Sequence, residues 1–581
     1  MPVNGSARNW RKVHGQSRPI RNVADGYYLW RRTLKQWHLA ELWDLIAHAI
    51  PDAPALMQDG FSLNWRTYAE RAARIAAGLR AAGVGPDTKV GIYGFNSIAY
   101  LEAQYGVMKA RGVPVNVNYH YTERELIYLL ENADIEVLFF DAQFGPRIAA
   151  CLAGGRLPKI RTLIEIDDGT ANYLDGAKPL EALIQEFSAL PPQPYSPDDV
   201  FMIYTGGTTG LPKGVIYRQG DFAEGCLAGY SARGFAKPKS AQDVASVVQQ
   251  LQMQNRAPVL LPACPLMHGT ALFGTLVGQN VGGSVVLYRN TTFDADHLWS
   301  LAEQTGASDI LIAGDAFARP MLTALERAAA SKRPYDLSTL KGIFSGGVTF
   351  SREVKEGLLS FADIVIWDAL GASEGSMAGA VASRTTPPAE TSRFFPNPTT
   401  KVFRDDGTEI GRGSGEIGLV ANGGAVPIGY YKDPVKSAST FRVINGHRYS
   451  VPGDYAMLDD DGALILVGRG SGCINTGGEK VFPEEVENIL RTHPSVDDCI
   501  VMGMADERFG QRVVAIIEPR KPTEFLPDAV TDFVKGSLAN YKAPREIIVV
   551  DHVQRHPNGK PDYAWAEHII QERSGALLAS S

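Results

Sequence analysis

The chain has 581 residues, too many for a single ordinary hydrophobic core and enough for several packed units. Its 45% hydrophobic and 21% charged content is that of a globular protein, and a formal net charge of −7 gives no strong field for nucleic acid or an anionic membrane. The five cysteines, Cys151, Cys226, Cys264, Cys473 and Cys499, are scattered without metal-ligand spacing, and fit a reducing compartment better than a disulfide framework.

Residues 1–38 form a cationic extension, with Arg8, Arg11, Lys12, Arg18, Arg21, Arg31, Arg32 and Lys35 against a lone Asp25. It lacks the apolar run that a secretory signal places after a basic start, so a solvated arm on the body and a cytoplasmic location are expected. No stretch reaches the ~20 apolar residues of a membrane-spanning helix. From Leu39 the pattern alternates. Apolar positions at helical spacing predict a helix over 65–84, followed by strands at 89–93, 113–116 and 135–140 and a helix over 100–111. Such alternation argues for a mostly parallel sheet covered by helices. It resumes between 198 and about 380, with apolar runs at 285–288, 309–312 and 364–366. From about 400 to 468 the texture turns to short strands with turns at Asp405–Gly407, Asn445–Gly446 and Asp461–Gly462, which predicts a small β-rich unit. A last α/β stretch has a helix opening near Pro483 and strands near 499–502 and 513–517. The expected fold is therefore α/β, with a large domain over 39–470 (two α/β subdomains plus the β-rich unit) and a small α/β domain over 471–581.

The sharpest local signal is YTGGTTGLPKG at 204–214, after the apolar run 200–203. Gly206, Gly207 and Gly210 let the backbone approach a ligand closely. Thr205, Thr208 and Thr209 supply hydroxyl donors for phosphate oxygens, and Lys213 supplies charge. The Walker spacing is absent, and a plain Gly/Thr turn before a helix is the bland alternative. Further along stand GIFSGG at 342–347, LGASE at 370–374, VPGD at 451–454, GR at 468–469, GGEKVFPEEVE at 477–487 and PNGK at 557–560.

Together, in this order and over about 39–570, these segments closely resemble the motifs of the adenylate-forming superfamily of acyl-CoA synthetases, luciferases and adenylation domains. The resemblance implies a mobile C-terminal domain and an ATP- and Mg²⁺-dependent reaction, in which an acid becomes acyl-AMP and then a thioester. It gives Glu374 to Mg²⁺, which suits a hard oxygen ligand, and Asp454 and Arg469 to the ribose and phosphates. Ser345, Gly346 and Gly347 would lie along adenine, with Asp368, Ala369, Leu370, Gly371 and Ser373 around the nucleotide. Leu370 stands where the family has a stacking tyrosine, and Ser373 where it has threonine. Lys560 matches the lysine that bridges the acid carboxylate and the α-phosphate, a task suited to a point charge on a flexible stem. His268, in PLMHG at 265–269, borders the acyl and pantetheine channels in relatives, as does Gly371. Gly477, Gly478 and Glu479 match the segment that approaches the thiol. Ser471 occupies the family's pivot, between Gly470 and Gly472, where the usual residue is aspartate or lysine; Asn475 also departs from a common lysine.

These matches predict catalytic roles for Lys560, Glu374 and Lys213, with ATP, Mg²⁺ and coenzyme A as the small molecules consumed or required. The subgroup resembled, through LIAGDAFARP at 311–320 and the 204–207 segment, takes medium or long fatty acids or bulky acids such as steroid side-chain acids. Loading of a carrier-protein phosphopantetheine, a catalytically idle nucleotide binder and a luciferase-like oxygenase are the alternatives. A homodimer is left open and no nucleic-acid partner is expected.

Overall fold

A computed structural model describes residues 37–579 except 154, 156, 158, 171–172, 208–209, 290–291, 477–478, 507–508 and 557–558. The basic extension therefore lies almost wholly outside the described residues, but Trp37 and His38 are 2% and 1% exposed. These two residues of the expected extension are thus packed into the body, where the Trp37 indole gains by burial.

Local signals start the helices. Asn64 accepts from the Thr67 N–H at the head of Trp65–Ala81, and Ser97 from the Tyr100 N–H at the head of Ile98–Lys109. Thr122 and Glu125 close a capping box on Glu123–Asn132. The first of these helices buries Tyr68, Ala72, Ile75, Ala76 and Leu79, and it packs against the second, where Gly106 leaves no room beside Ile75 for a side chain. Strands Val113–Asn116 and Ser284–Leu287 are buried at every position, as parallel strands covered on both faces must be.

Among the described residues, eight strands form one sheet in the spatial order Gly429–Tyr430, Gly210–Arg218, Val200–Gly207, Val113–Asn116, Lys89–Tyr93, Ile135–Asp141, Thr162–Ile166 and Lys178–Pro179. A second sheet runs Phe61–Asn64, Pro54–Gln58, Ser284–Leu287, Val259–Pro262, Asp309–Ile312, Gly342–Gly346 and Val365–Ala372, parallel from the second of these onward. It then continues antiparallel through Gly375–Ala382 and Arg393–Pro396 into the β-rich unit. The two sheets do not follow the two halves read from the sequence. Pro54–Gln58, from the first half, pairs with Ser284–Leu287 in the second sheet, whereas 200–218 and 429–430 join the first. Apolar runs specify a strand but not its partner, which is settled by packing.

The last unit is smaller. Val496–Asp506 and Gly510–Pro519 form a long antiparallel pair, Glu546–Val549 lies parallel to the latter, and Pro483–Thr492 and Pro527–Ser537 cover a core of Val486, Leu490, Val501, Val513 and Val530. No helix among the described residues is long and apolar enough to cross a membrane.

Candidate active site

A cavity of ≈ 2260 Å³ opens at the carboxyl ends of the parallel strands and is walled on one side by the last unit. Position at strand ends is what places ligands in open α/β sheets. Its lining includes Thr205, Lys213, His268, Gly346, Gly347, Asp368, Ala369, Leu370, Gly371, Ser373, Glu374, Asp454, Arg469 and Lys560. Residues scattered over 355 positions are thus brought to one space.

The Gly/Thr string does not open a helix. Strands Val200–Gly207 and Gly210–Arg218 pair antiparallel, with Thr205 opposite Lys213 and Gly207 opposite Gly210; Thr208 and Thr209, at the tip, lie outside the described residues. Gly214 is required because a β-carbon there would sit 2.5 Å from the Tyr204 ring. Asn116, buried at the end of its strand, holds the base of the hairpin. Its side-chain oxygen accepts from the Tyr204 N–H at 2.7 Å, and its amide donates to the carbonyls of Tyr204 (3.0 Å) and Met267 (2.5 Å). One side chain therefore links the hairpin to the turn that carries His268. Lys213 pairs with Asp433 at 3.3 Å and lies 5.7 Å over the Tyr430 ring.

Glu374 sits in the tight turn between Val365–Ala372 and Gly375–Ala382. Its Oε1 accepts from the Tyr430 hydroxyl at 2.5 Å, and the Tyr217 hydroxyl donates to the neighbouring Ser373 carbonyl at 2.7 Å. Two buried tyrosines thus orient this carboxylate, and neither was legible in the motifs. Asp454 and Arg469 face each other across adjacent antiparallel strands, and Arg469 Nε donates to Asp454 Oδ1 at 2.8 Å. Asp454 Oδ2 is buried without a hydrogen-bond partner, an acceptor that a hydroxyl of a bound ligand can satisfy. The Asp454 charge, more than compensating the burial that acts against it, raises the Arg469 guanidinium above its usual range.

Asp368 has a partner that the motif reading did not include. Lys355 donates to its Oδ2 at 2.6 Å in a buried ion pair, and burial still pushes the carboxyl up to about 6. Ser345 lies beneath the cavity surface, where its hydroxyl accepts from the Gly314 N–H at 3.0 Å. Gly347, at φ +92°, takes a conformation that side chains disfavour. Leu370 packs with Met377, Ala378 and Phe394.

Lys560 enters this cavity from the last unit. Burial lowers its ammonium pKa, the Arg469 charge lowers it further, and Glu374 and Asp454 oppose the shift; the lysine therefore stands in the field of all three. Its loop is fixed by its own chemistry. Gly559 has φ +78°, and a β-carbon there would lie 2.8 Å from Ala316 Cβ, so only glycine lets the turn dock on helix Asp315–Ala330. Arg555 grips both oxygens of Asp498 at 2.6 and 2.7 Å and donates to the Gly559 carbonyl at 3.2 Å. His268 is held neutral, its pKa depressed to about 3 by burial and then by the charges of Lys560 and His120.

The other C-terminal motif is described only in its last residue. Gly477 and Gly478 are outside the described residues, and Glu479 opens strand Glu479–Val481. Ser471 lies in the 3₁₀ turn Gly470–Gly472, between the β-rich unit and the last one.

Comparison with known proteins agrees with this arrangement. Residues 44–431 match the family described as AMP-binding enzyme, and residues 485–560 match the AMP-binding enzyme C-terminal domain. A 3-oxocholest-4-en-26-oate–CoA ligase of Rhodococcus rhodochrous is 38% identical over 90% of this chain and 95% of its own. A medium/long-chain-fatty-acid–CoA/3-oxocholest-4-en-26-oate–CoA ligase of Mycolicibacterium smegmatis is 37% identical over 92% and 97%. Among solved structures, an anthranilate CoA ligase bound to anthranoyl-AMP superposes with a TM-score of 0.76 at 20% identity, covering 94% of this chain and 98% of its own, which is a likeness of fold.

Proposed function

The chain belongs to the AMP-binding enzyme family, and from that premise we propose that it is an acid–CoA ligase acting on a medium- or long-chain or bulky carboxylic acid, in the manner of the steroid side-chain and fatty-acid ligases it is similar to. The observation that carries the reading is the burial of Lys560 in one cavity with Glu374, Asp454 and Arg469. Nucleotide binding alone gives no reason to bring a cation from another unit to that place.

In the first half-reaction a carboxylate oxygen of the acid bonds to the α-phosphorus of ATP, and the bond to pyrophosphate breaks. Two anions must approach, so positioning and charge neutralisation matter more than proton transfer. Lys560 stands to bridge the two. Asp454 Oδ2 accepts from a ribose hydroxyl, and the hairpin at 204–214 holds the phosphates with Lys213 at its base. Among the described residues no cluster of three protein ligands could hold a metal. A single oriented carboxylate, Glu374, nevertheless fits Mg²⁺, which prefers water and phosphate oxygens for its remaining positions. Bound there, Mg²⁺ neutralises phosphate charge. In the second half-reaction the CoA sulfur bonds to the acyl carbon and AMP leaves. The last unit then turns about Ser471, which withdraws Lys560 and brings the Gly477–Glu479 segment to the thiol.

The test separates the half-reactions. Acid-dependent pyrophosphate release with ATP and Mg²⁺ falls about 100- to 1000-fold in Lys560→Ala, whereas thioester formation from supplied acyl-AMP and CoA stays within about twofold. Equal loss in both steps refutes the assignment, and transfer to a carrier protein in place of CoA would move the enzyme to the other acceptor class.

A further inference from the structure

One buried charge in the larger unit takes no part in the two half-reactions. Helix Arg352–Phe361 turns Val354, Leu358 and Leu359 into the core, and on the same stripe it turns in Lys355. The side chains of Lys355 and its partner Asp368 are 5% and 4% exposed, their bond is 2.6 Å, and the lysine Nζ lies 5.0 Å over the buried Phe350 ring. An apolar residue at 355 would continue the stripe without taking an ammonium out of water. A buried pair of this kind adds little to stability over an apolar replacement, so the lysine is explained by the carboxylate it faces.

Asp368 lines the cavity from strand Val365–Ala372, in register with Ser345, and the next pair along is Ala369 with Gly346. Gly346 and Gly347 give that part of the lining a bare backbone ledge, which suits a flat ring. With phosphates at the 204–214 hairpin and a ribose hydroxyl on Asp454 Oδ2, this ledge is the place left for the base of the nucleotide. Lys355 occupies Asp368 Oδ2 and leaves Oδ1 for a ligand; Oδ1 makes no hydrogen bond to another described residue and is not sealed from the cavity. An ionised carboxylate can only accept, whereas a protonated one also donates. Burial pushes this carboxyl up to about 6 even with Lys355 beside it, and Asp315, itself 3.4 Å from Arg319, pushes in the same direction. Without the lysine the carboxyl would hold its proton at neutral pH.

We propose that Lys355 is a positioning residue that keeps Asp368 an acceptor only, so that the cavity selects a purine nucleotide with an exocyclic amine and rejects one with an oxo group in its place. The inference rests on the ligase reading above and assigns the choice of nucleotide within it. An amine N–H meets Oδ1 as a donor. An oxo oxygen there meets a negative charge, and both groups are left unsatisfied away from water.

Adenosine and inosine nucleotides differ at that position and at the ring nitrogen beside it. Calorimetric titration of the full chain with AMP and with IMP reads the choice without turnover, and acid-dependent pyrophosphate release reads it in kcat/KM for ATP against ITP. The wild type favours the amine by about 100-fold or more in both, through KM more than kcat because the base is remote from the reacting phosphorus. Lys355→Met brings the two bases within about threefold of each other or reverses their order. Asp368→Asn with the lysine kept favours the oxo base, since Lys355 holds the amide oxygen and turns the NH₂ to the ligand. Lys355→Met/Asp368→Asn buries no charge and so folds even where the single variant does not; its amide, free to turn, accepts both bases within about threefold. A wild type without preference, or a preference that survives in Lys355→Met or in the double variant, overturns this proposal and leaves the ligase reading intact. Selective AMP binding without pyrophosphate release from any acid removes the ligase reading and leaves the nucleotide choice, and binding of neither nucleotide removes both.

Discussion

At Glu484 a carboxyl is pressed between helix Pro483–Thr492 and the strand end carrying Gly468 and Arg469. It accepts from the Arg469 N–H, and a β-carbon on Gly468 would lie 2.5 Å from its Oε2, which has no partner. Burial, then the neighbouring Glu487, pushes its pKa up to about 7. The folded, docked state therefore favours the protonated form. Its contribution to stability is present below the ordinary carboxylate range and is lost as pH rises to about 7. The expected outcome is that Glu484→Gln melts higher than wild type at about pH 8, and that the difference disappears at about pH 5. A constant difference across that window would assign the effect to packing instead. The sequence offered Glu484 only as one acid in an acidic run. Its motif neighbours were readable because a fixed spacing carries them, but the partners that tune the site were not. Lys355 for Asp368 and Tyr430 for Glu374 come from other elements, and no local spacing encodes such a contact.

Elements were legible where a buried strand is a short apolar run: Lys89–Tyr93, Val113–Asn116 and Asp309–Ile312 coincide with the reading. Helix ends moved where a cap decides them. Ser97 starts its helix at Ile98 instead of at 100, and the helix expected over 65–84 stops at Ala81, ahead of the turn at Gly83. Sheet membership was not legible, since pairing partners lie up to 230 residues apart, as Leu56 and Val285 nearly do. The loop that delivers Lys560 shows how an element enforces function. Arg555 ties it to Asp498 of strand Val496–Asp506 and to the Gly559 carbonyl. Arg555→Ala leaves a partly buried carboxylate without its bidentate partner and loosens the lysine turn, so adenylation should fall about 10- to 100-fold. Thioester formation from supplied acyl-AMP should remain near wild type, because that step does not use the lysine. Parallel loss of both would mean that Arg555 holds the unit together, not the loop.

For the whole molecule the decisive geometry is that the last unit brings its lysine motif into a cavity lined by the larger unit. Lys560 lines it together with Glu374, Asp454 and Arg469. The proposed second half-reaction has the unit turn about the short segment Gly470–Gly472. That segment is a 3₁₀ turn, and Gly470 is packed against Tyr455 too closely for a β-carbon, which would lie 2.7 Å from its ring. A 3₁₀ turn has φ near that of proline, and glycine before proline escapes most of the usual steric restriction. Ser471→Pro should therefore preserve the arrangement seen here while stiffening the pivot. Acyl-AMP formation then stays within about tenfold of wild type, and transfer to CoA falls by about 100-fold or more, the mirror image of Lys560→Ala. Burst kinetics give the sharpest reading: the variant releases one pyrophosphate per active site and then stalls with acyl-AMP bound. Steady turnover at the wild-type rate would place the pivot elsewhere in the chain, and loss of the burst itself would mean that the proline had broken the adenylating arrangement.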